Sequence, residues 1–473
     1  MSEFELNASR LKTVLGYGAM LGASVLAFWG IRHLGERLPT SAPEATARLS
    51  AAAPAASPHT LLHVLLALLL IVAVARLFGA LFRRLQQPAV IGEVIAGIAL
   101  GPSLLGRIAP ELSAYLLPPS IAPSLNVIAQ VGVIIFMFLV GVELDTGLLR
   151  NKAHSAFAIS HASIIAPFLL GAGISLWLYP LLAPKDVPFT LFALFMGVAM
   201  SITAFPVLAR ILTDRGMHKS KLGVLALSCA AVDDVTAWCL LAFVVSLATP
   251  TAGNALITLC LTFGYIAFAW FVARPIVHRY VQQQELRQQL GKHAIALVIV
   301  GLLGSALITE YIGIHAIFGA FLLGTIIPHE SLLARSLKQK LEDLVIVLLL
   351  PAFFAFTGLR TEIGLVSTLD QWLMCLAIVA VACAGKFGGT YAAARLTGLG
   401  AREAASLGAL MNTRGLMELV VLNIGLDLGV ISPTLFAMMV FMAIATTFAT
   451  SPLLSWLSSG APQPTNASSA SLS

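Results

Sequence analysis

The chain has 473 residues, of which 58% are hydrophobic and only 11% are charged, and its mean hydropathy is +0.92. A water-soluble protein of this length needs far more charge to cover its surface, so a soluble globular fold is excluded. The formal net charge of +6 could point to a nucleic-acid partner, but the basic residues lie in short segments between apolar runs.

Apolar runs long enough to cross a bilayer recur from one end of the chain to the other. A bilayer core of about 30 Å needs about 20 helical residues. A backbone in lipid must also satisfy its own polar groups, which an α-helix does within one segment. The sequence therefore predicts an all-α polytopic membrane protein with about thirteen core spans and one extra N-terminal span. The spans are placed near residues 12–31, 60–82, 88–106, 122–143, 153–179, 188–209, 219–247, 253–273, 292–311, 313–328, 341–360, 370–394, 404–427 and 433–457.

The first span stands apart from the other thirteen. Residues 33–58, which follow it, are rich in Ala, Pro and Ser and predict a flexible linker. Arg10 and Lys12 precede the apolar run, so a signal peptide is an alternative; the run is long for one, and no small-residue cleavage pattern follows closely. The expected organisation is an uncleaved helix with its linker in 1–58, a membrane domain in 59–457 and a disordered cytoplasmic tail in 458–473.

The 28 Lys and Arg residues are distributed unevenly between the segments that connect the spans. With the N-terminus in the cytoplasm, nineteen fall in inside segments, six in outside segments and three within spans. An excess of positive charge on one side is typical of cytoplasmic segments. The charge therefore predicts a plasma (bacterial inner) membrane protein with both termini in the cytoplasm, and it gives no support for a nucleic-acid partner.

Two predicted spans are interrupted at matching places in the two halves of the chain. The sixth carries the stretch from Ser201 to Pro206 (SITAFP), and the thirteenth carries Met411 to Gly415 (MNTRG). The offset of seven spans is odd, so the second copy lies upside down relative to the first. Paired broken helices in inverted repeats are typical of secondary transporters with a site near the bilayer midplane. Gly and Pro are, however, also common in membrane helices in general.

Two adjacent carboxylates, Asp233 and Asp234, lie within the seventh span. A charge at the bilayer centre costs a few kcal/mol or more, so an ionisable residue there indicates a functional site. Neighbouring helical residues point about 100° apart, so each carboxylate can face a different environment. The alternative is that one or both acids only pair with a buried base and hold helices together.

Lys386, in the twelfth span, is the expected partner of these acids. Desolvation favours the neutral form of a lysine, and a nearby carboxylate favours its charged form. An Asp–Lys pair can therefore store or release a proton, according to what else occupies the cavity. The alternative role for Lys386 is that of a structural counter-charge.

Four further polar residues lie at the two interruptions. Arg414 and Glu418 are four residues apart on the thirteenth span, and we expect a mainly structural pair that balances the dipoles of the broken-helix ends. Ser201 and Thr203 lie where the broken sixth span frees backbone carbonyls. Their hydroxyls are therefore candidate ligands of a cation.

At these residues the chain resembles the monovalent cation:proton antiporters, within them the branch that contains plant cation/H⁺ exchangers and Kef-like and Nap-type transporters. The resemblance runs from about His59 to Leu457 and does not cover the first span. The motifs that carry it are QQPAVIGEVIAGIALGPS (Gln86–Ser103), SITAFPVLARIL (Ser201–Leu212), AAVDDVTAW (Ala230–Trp238), PAFFAFTGLR (Pro351–Arg360) and MNTRGLMELVVLNIG (Met411–Gly425).

The resemblance implies an inverted-repeat antiporter fold with two crossed discontinuous helices. The fifth to seventh and twelfth to fourteenth spans would form a moving core, and the second to fourth and ninth to eleventh a scaffold that forms a homodimer. It also implies exchange of a monovalent cation, Na⁺ or K⁺, for protons by alternating access. Members with Asp at both positions of the acidic pair tend to be electrogenic.

The resemblance implies specific roles for the candidate residues. Asp234 would bind the cation and the proton alternately, and Asp233 would be a companion acid that pairs with Lys386. The unwound stretches would cross beside them, with a broken-helix site or cation ligands at Thr203, Pro206, Asn412 and Thr413. No cofactor is implied. Kef-type members carry a large C-terminal nucleotide-binding domain that this sequence lacks, so we do not expect nucleotide-gated efflux.

Two functions of other classes are alternatives to exchange. An intramembrane aspartyl protease also buries two acids, but these come from different helices and one lies in a GxGD motif, which is absent here. A passive or weakly coupled monovalent cation channel is the stronger alternative. It would need no titratable groups, whereas Asp234 and Lys386 supply them.

Overall fold

The computed structural model describes residues 3–39, 60–85, 87–143, 153–217, 220–248, 255–286 and 292–458. Every regular element within these ranges is helical, which confirms the predicted all-α class. The predicted linker from residue 40 onward and the predicted tail after Ser458 lie outside the described residues.

Twenty α-helices in this part of the chain are numbered in order. Those of the first half are α1 (Glu3–Gly35), α2 (Thr60–Arg84), α3 (Ala89–Leu100), α4 (Leu105–Ile108), α5 (Pro110–Leu116), α6 (Ala122–Glu143), α7 (Ala153–Leu182), α8 (Phe189–Ser201), α9 (Phe205–Asp214) and α10 (Lys221–Ala248). Those of the second half are α11 (Ala255–Phe268), α12 (Arg274–Leu286), α13 (Lys292–Ile312), α14 (Ala316–Thr325), α15 (Leu332–Leu344), α16 (Leu350–Leu359), α17 (Leu369–Leu396), α18 (Ala401–Met411), α19 (Leu416–Asp427) and α20 (Pro433–Ser458). Short π-helical segments, Ala269–Ala273 and Val345–Leu349, connect α11 to α12 and α15 to α16.

Eleven helical segments of the described part are long and apolar enough to cross a membrane, and they coincide with eleven of the predicted spans. The tenth predicted span is the short helix α14, of ten residues, and the thirteenth is divided into α18 and α19. The first is the 33-residue helix α1. The eighth span, placed at 253–273 from the sequence, continues through the polar helix α12 to Leu286, because helix propensity persists where apolarity ends.

The membrane helices form two packed groups. The scaffold group consists of α2, α3, α6 and α13–α16, in which α3 packs on α2 and α16, and α6 on α14. The core group consists of α7–α10 and α17–α20, in which α7 packs on α8 and α17, and α17 on α18 and α20. The two groups contact each other between α16 and α19 and between α3 and α20.

Two tight helix crossings in the scaffold group show the inverted repeat. Where α3 crosses α16, a Cβ atom added to Gly358 would lie 2.6 Å from the Cα atom of Gly97. Where α6 crosses α14, a Cβ atom added to Gly324 would lie 2.8 Å from the Cα atom of Gly141. The helices α3 and α6 are the third and fourth predicted spans, and α14 and α16 are the tenth and eleventh. Each helix of the first pair therefore corresponds to one of the second pair, and the two crossings are equivalent contacts in the two repeats. Small residues let membrane helices approach this closely.

The N-terminal helix α1 packs on α7 and α8, which belong to the core group. The Tyr17 ring lies 5.5 Å from that of Phe157, and the Phe28 ring lies 5.8 Å from that of Phe168. The Thr190 hydroxyl also donates a hydrogen bond of 3.2 Å to Glu36, just after α1 ends. The extra helix is therefore attached to the helices that carry the candidate site.

Candidate functional site

Two unwound segments cross in the middle of the core group. The first lies between α8 and α9, where Ile202 is extended (φ −70°, ψ 138°). Pro206, in the first turn of α9, lacks an N–H and its ring would clash with the carbonyl of residue 202, so the helix cannot run through this point. The second segment lies between α18 and α19. The two are joined by a hydrogen bond of 3.0 Å from the Ala204 amide to the Thr413 carbonyl.

Gly415 allows the second segment to approach the first closely. A Cβ atom at this position would lie 2.9 Å from the Cγ2 atom of Val207 in α9. The two broken helices therefore pack closely at their interruptions, where one backbone hydrogen bond also joins them. The crossed discontinuous helices predicted for this fold are confirmed.

Asp233 is fully buried and surrounded by donors. Its Oδ1 atom accepts a hydrogen bond from the Ser160 hydroxyl. Its Oδ2 atom accepts hydrogen bonds from the hydroxyls of Ser163 at 2.7 Å and Thr203 at 2.8 Å, and from the Lys386 ammonium at 2.9 Å. Three hydroxyls and one ammonium group thus donate hydrogen bonds to this carboxylate, and the bond from the charged donor is the strongest kind.

Asp234, the next residue, has the opposite environment. Its side chain is only 1% exposed, and neither of its carboxylate oxygens has a hydrogen-bond partner among the described residues. The helix turns about 100° between the two acids, which explains how neighbours can differ so sharply. A buried carboxylate without donors is stable only when a proton or a cation neutralises it.

Lys386 connects the two halves of the core group. Its ammonium is fully buried, and besides Asp233 it donates to the backbone carbonyl of Ser201 and, at 3.3 Å, to the hydroxyl of Ser163. The Ser201 carbonyl is the last of helix α8, where the helix dipole is negative. One lysine therefore balances both a carboxylate and a broken-helix end.

Glycines beside Lys386 bring its helix against α7. A Cβ atom on Gly385 would lie 2.6 Å from the Cα atom of Pro167, and one on Gly389 would lie 2.6 Å from the Cβ atom of Ala166. Gly385 and Gly389 are four residues apart and so share a face, the spacing of close membrane-helix contacts. This contact places Lys386 within reach of Ser163.

We expect Gly385→Ala to lower the thermal stability of the protein, because overfilling a tight contact typically costs about 1–3 kcal/mol. Gly388→Ala is the matched control, since a Cβ atom there meets nothing within 4 Å and alanine favours a helix by up to about 1 kcal/mol. Thermal unfolding in detergent compares the two variants. Equal melting temperatures would show that the α7–α17 contact can relax.

Arg414 and Glu418 form a buried ion pair of 2.6 Å on the second broken helix. The Arg414 guanidinium also donates to the carbonyls of Ala199, at 3.0 Å, and Met200, at 2.6 Å. These are the carbonyls that precede Ser201 at the end of α8. Arg414 and Lys386 together donate to the last three carbonyls of that helix.

The structure brings most of the candidate residues together, but some of their contacts differ from those that the sequence predicts. The Ser201 hydroxyl donates to Gly197 and Ile164, so it is the carbonyl of this residue that meets Lys386. The Asn412 amide donates to the sulfur of Cys383, at 3.4 Å. Within the described part of the chain, the Asn412 side-chain oxygen and the Thr413 hydroxyl have no hydrogen-bond partner, which leaves both free to accept a ligand.

Sequence reasoning missed Ser160 and Ser163. They lie three residues apart on α7, and so on one helix face, within the string ISHAS. Serines are common in membrane helices, where they can bond to their own backbone. The available signal was this cluster of three polar residues, and it is weak because His154, Ser155 and Ser175 lie in the same predicted span.

Known proteins are similar to this chain in sequence and in fold. Residues 68–458 match the family model described as "Sodium/hydrogen exchanger, transmembrane". The Na(+)/H(+) antiporter NhaS4 of Synechocystis sp. is 47% identical over 385 residues, which are 81% of this chain and 94% of that protein. Cation/H(+) antiporter 18 of Arabidopsis thaliana is 42% identical over 81% of this chain. K(+)/H(+) antiporter 1 of Saccharomyces cerevisiae is 33% identical over 80% of it.

The match covers different shares of these relatives. It spans 47% of the plant protein and 44% of the yeast protein, so the chain corresponds to about half of their length. Among solved structures, the sodium proton antiporter MjNhaP1 from Methanocaldococcus jannaschii superposes with a TM-score of 0.61. That likeness covers 83% of this chain and 97% of the other at 15% identity, and it shows a shared fold.

Proposed function

Because this chain belongs to the sodium/hydrogen exchanger family and exchanges a monovalent cation for protons across a membrane, we propose that Asp234 is the group at which the two ions compete. The observation that supports this is the contrast between the acids. Asp233 has four donors, whereas Asp234 is buried and neither oxygen has a partner in the described chain.

Competition at one carboxylate is sufficient to couple the two fluxes. Asp234 can hold a proton or a cation, and it is too costly to leave as a bare charge in the bilayer. The site then moves between the two sides of the membrane with one ion or the other bound, which is alternating access. Thr413 and Asn412, whose side-chain oxygens have no partner in the described chain, supply neutral ligands for a dehydrated Na⁺ or K⁺.

Exchange is electrogenic in this scheme, with more than one proton moved per cation. Asp234 provides one titratable site. The Asp233–Lys386 pair, buried and 2.9 Å apart, provides a second when the bound cation alters its field. The membrane potential then contributes about 2.3 kcal/mol per net charge at 100 mV.

Exchange in proteoliposomes with an internal pH dye tests this function. We expect Na⁺, K⁺ or Li⁺, added in turn, to drive proton movement, and the rate with Na⁺ to depend on the sign of an imposed potassium-diffusion potential. Liposomes without protein are the control. Cation flux without proton movement would indicate a channel, and a rate that ignores the potential would contradict the electrogenic scheme.

We also propose a topology and an assembly for this chain. The chain is a multi-pass membrane protein. Its charge bias supports an orientation with both termini in the cytoplasm. We further propose a plasma or bacterial inner membrane location, an uncleaved α1, and a homodimer joined through the scaffold group. A reporter fused to either terminus checks the orientation, and the intact mass and chemical cross-linking of the purified protein check the other two points.

A further inference from the structure

A cluster of polar side chains joins the scaffold group to the core group. Arg360 ends helix α16, and its guanidinium donates to the Asn423 side-chain oxygen at 3.0 Å and to the Asp427 carboxylate at 2.6 Å. The Asn423 amide donates in turn to the Thr357 hydroxyl at 2.8 Å. Thr357 and Arg360 belong to the scaffold group, whereas Asn423 and Asp427 lie on α19 of the core group.

The residues of this cluster are spaced so that the two on each helix can face the two on the other. Asn423 and Asp427 are four residues apart and so lie on one face of α19, while Thr357 and Arg360 are three apart on α16. The planar guanidinium uses two of its nitrogens, one for each partner on α19. A lysine ammonium lacks this rigid planar arrangement of donors, so it would fix the two acceptors less firmly.

Burial increases along the cluster from the surface inward. The Asp427 side chain is 44% exposed and that of Arg360 is 17% exposed, whereas Asn423 is 7% exposed and Thr357 is fully buried. If α19 slid along α16, the hydrogen bond between Asn423 and Thr357 would break at a place that water reaches poorly, although each side chain would keep a carbonyl acceptor on its own helix. The Arg360 guanidinium would lose both of its acceptors on α19. The contact therefore opposes relative movement of the two helix groups.

The same cluster borders an opening between the groups. A cavity of about 550 Å³ is lined by side chains that include Glu310 and His315 near the end of α13, Val245 on α10 and Asp427 on α19. A second cavity, of about 30 Å³, shares Asp427 and His315 with the first and is also lined by Phe353 of the scaffold group and by Val420 and Asn423 of the core group.

The opening lies about three helical turns from the candidate site, at one end of α10. Val245 lies eleven residues after Asp234 on the same helix, about 16 Å along the helix axis. The Arg360 cluster therefore lies on the rim of a vestibule at one end of the core group, beside the seam that alternating access must open and close.

We propose that Arg360, Asn423 and Asp427 form a latch that holds the core group against the scaffold group in the position seen here and must release in each exchange cycle. The proposal rests on alternating access in the proposed function. The three are positioning residues, because they set the relative populations of the two conformations and do not touch the transported ions at Asp234.

The test measures the distance between the groups directly. Spin labels on non-canonical residues replace Tyr311 on α13 and Leu369 on α17, whose side chains are 93% and 76% exposed, and pulsed electron resonance gives their distance distribution. We expect Arg360→Gln and Asp427→Asn to shift the ratio of the two populations by about tenfold, within the usual range of coupling between sites. Asp427→Glu, which keeps the charge, should stay nearer to the wild-type ratio.

Lys338→Gln is the matched control. It breaks a half-exposed ion pair between Lys338 and Glu143, both in the scaffold group, so it should leave the distance distribution unchanged. An unchanged distribution in folded Arg360→Gln and Asp427→Asn proteins overturns the latch, whatever the exchange assay shows. A wild-type protein without exchange overturns the proposed function instead, and the distance measurement still decides the latch.

Discussion

Replacing Asp234 with Asn is expected to abolish cation-driven proton movement while leaving a folded protein. The amide cannot release a proton or neutralise a cation, so neither half of the exchange can occur at this position. Because the carboxylate oxygens of Asp234 have no partner within the described residues, the substitution removes no hydrogen bond. The melting temperature should therefore stay close to that of the wild type or rise. The measurement is the pH-dye assay in proteoliposomes, with thermal unfolding in detergent beside it.

Asp186→Asn is the control for this experiment. Asp186 is an exposed carboxylate in the loop between α7 and α8, and its neutralisation should leave exchange intact. Substantial exchange by a well-folded Asp234→Asn protein would show that the ions compete elsewhere. Asp233 would then be the next residue to examine, although its four donors make it a poor cation site.

Lys386→Gln is expected to destabilise the protein and to remove the dependence of exchange on membrane potential. The substitution leaves the Asp233 carboxylate buried with only neutral donors, and breaking a buried ion pair typically costs about 3–5 kcal/mol. The three remaining hydroxyls, from Ser160, Ser163 and Thr203, should keep the loss near the lower end of that range. Melting temperature and exchange under imposed potentials of both signs measure the two effects.

The double variant Asp233→Asn with Lys386→Gln separates stability from coupling. Removing both charges should recover part of the lost stability, because no uncompensated carboxylate remains. It should not recover the potential dependence, since the second titratable pair is gone. If Lys386→Gln alone still responds to the sign of the potential, this pair is only structural and the second proton is carried by another group.

The site could be predicted from sequence where a local pattern conflicts with its surroundings. Two acids and a lysine in apolar runs are conspicuous because charge is costly in lipid. Pro206 interrupts a helix by covalent geometry alone. Each of these signals lies within a few residues of chain, so no knowledge of the tertiary structure is needed to read it.

Contacts between distant helices could not be predicted in the same way. Ser160 and Ser163 became donors to Asp233 only because α7 packs against α10, and a serine in a membrane helix has several other uses. Arg360 and Asp427 are 67 residues apart, and both lie at helix ends where charged residues are ordinary. Their pairing follows from the arrangement of α16 and α19, which no local pattern records.

The fold, like the site, could be predicted from sequence only in part. The all-α class and the paired breaks follow from apolarity and from residues that interrupt helices. The end of the eighth span does not, because α12 stays helical through Arg274–Leu286 after the apolar run has ended. Apolarity marks the length of chain in lipid, whereas helix propensity determines where the helix ends.

The position of α1 gives experimental access to motion that is otherwise hidden inside the bilayer. This helix packs on α7 and α8, and its opposite face exposes Val25, Leu26 and Trp29. A fluorophore or antibody fragment attached to that face would move together with the core group, which carries Asp234. Individual turnovers could then be timed from outside the site, in an intact membrane, with every residue that handles an ion left unaltered.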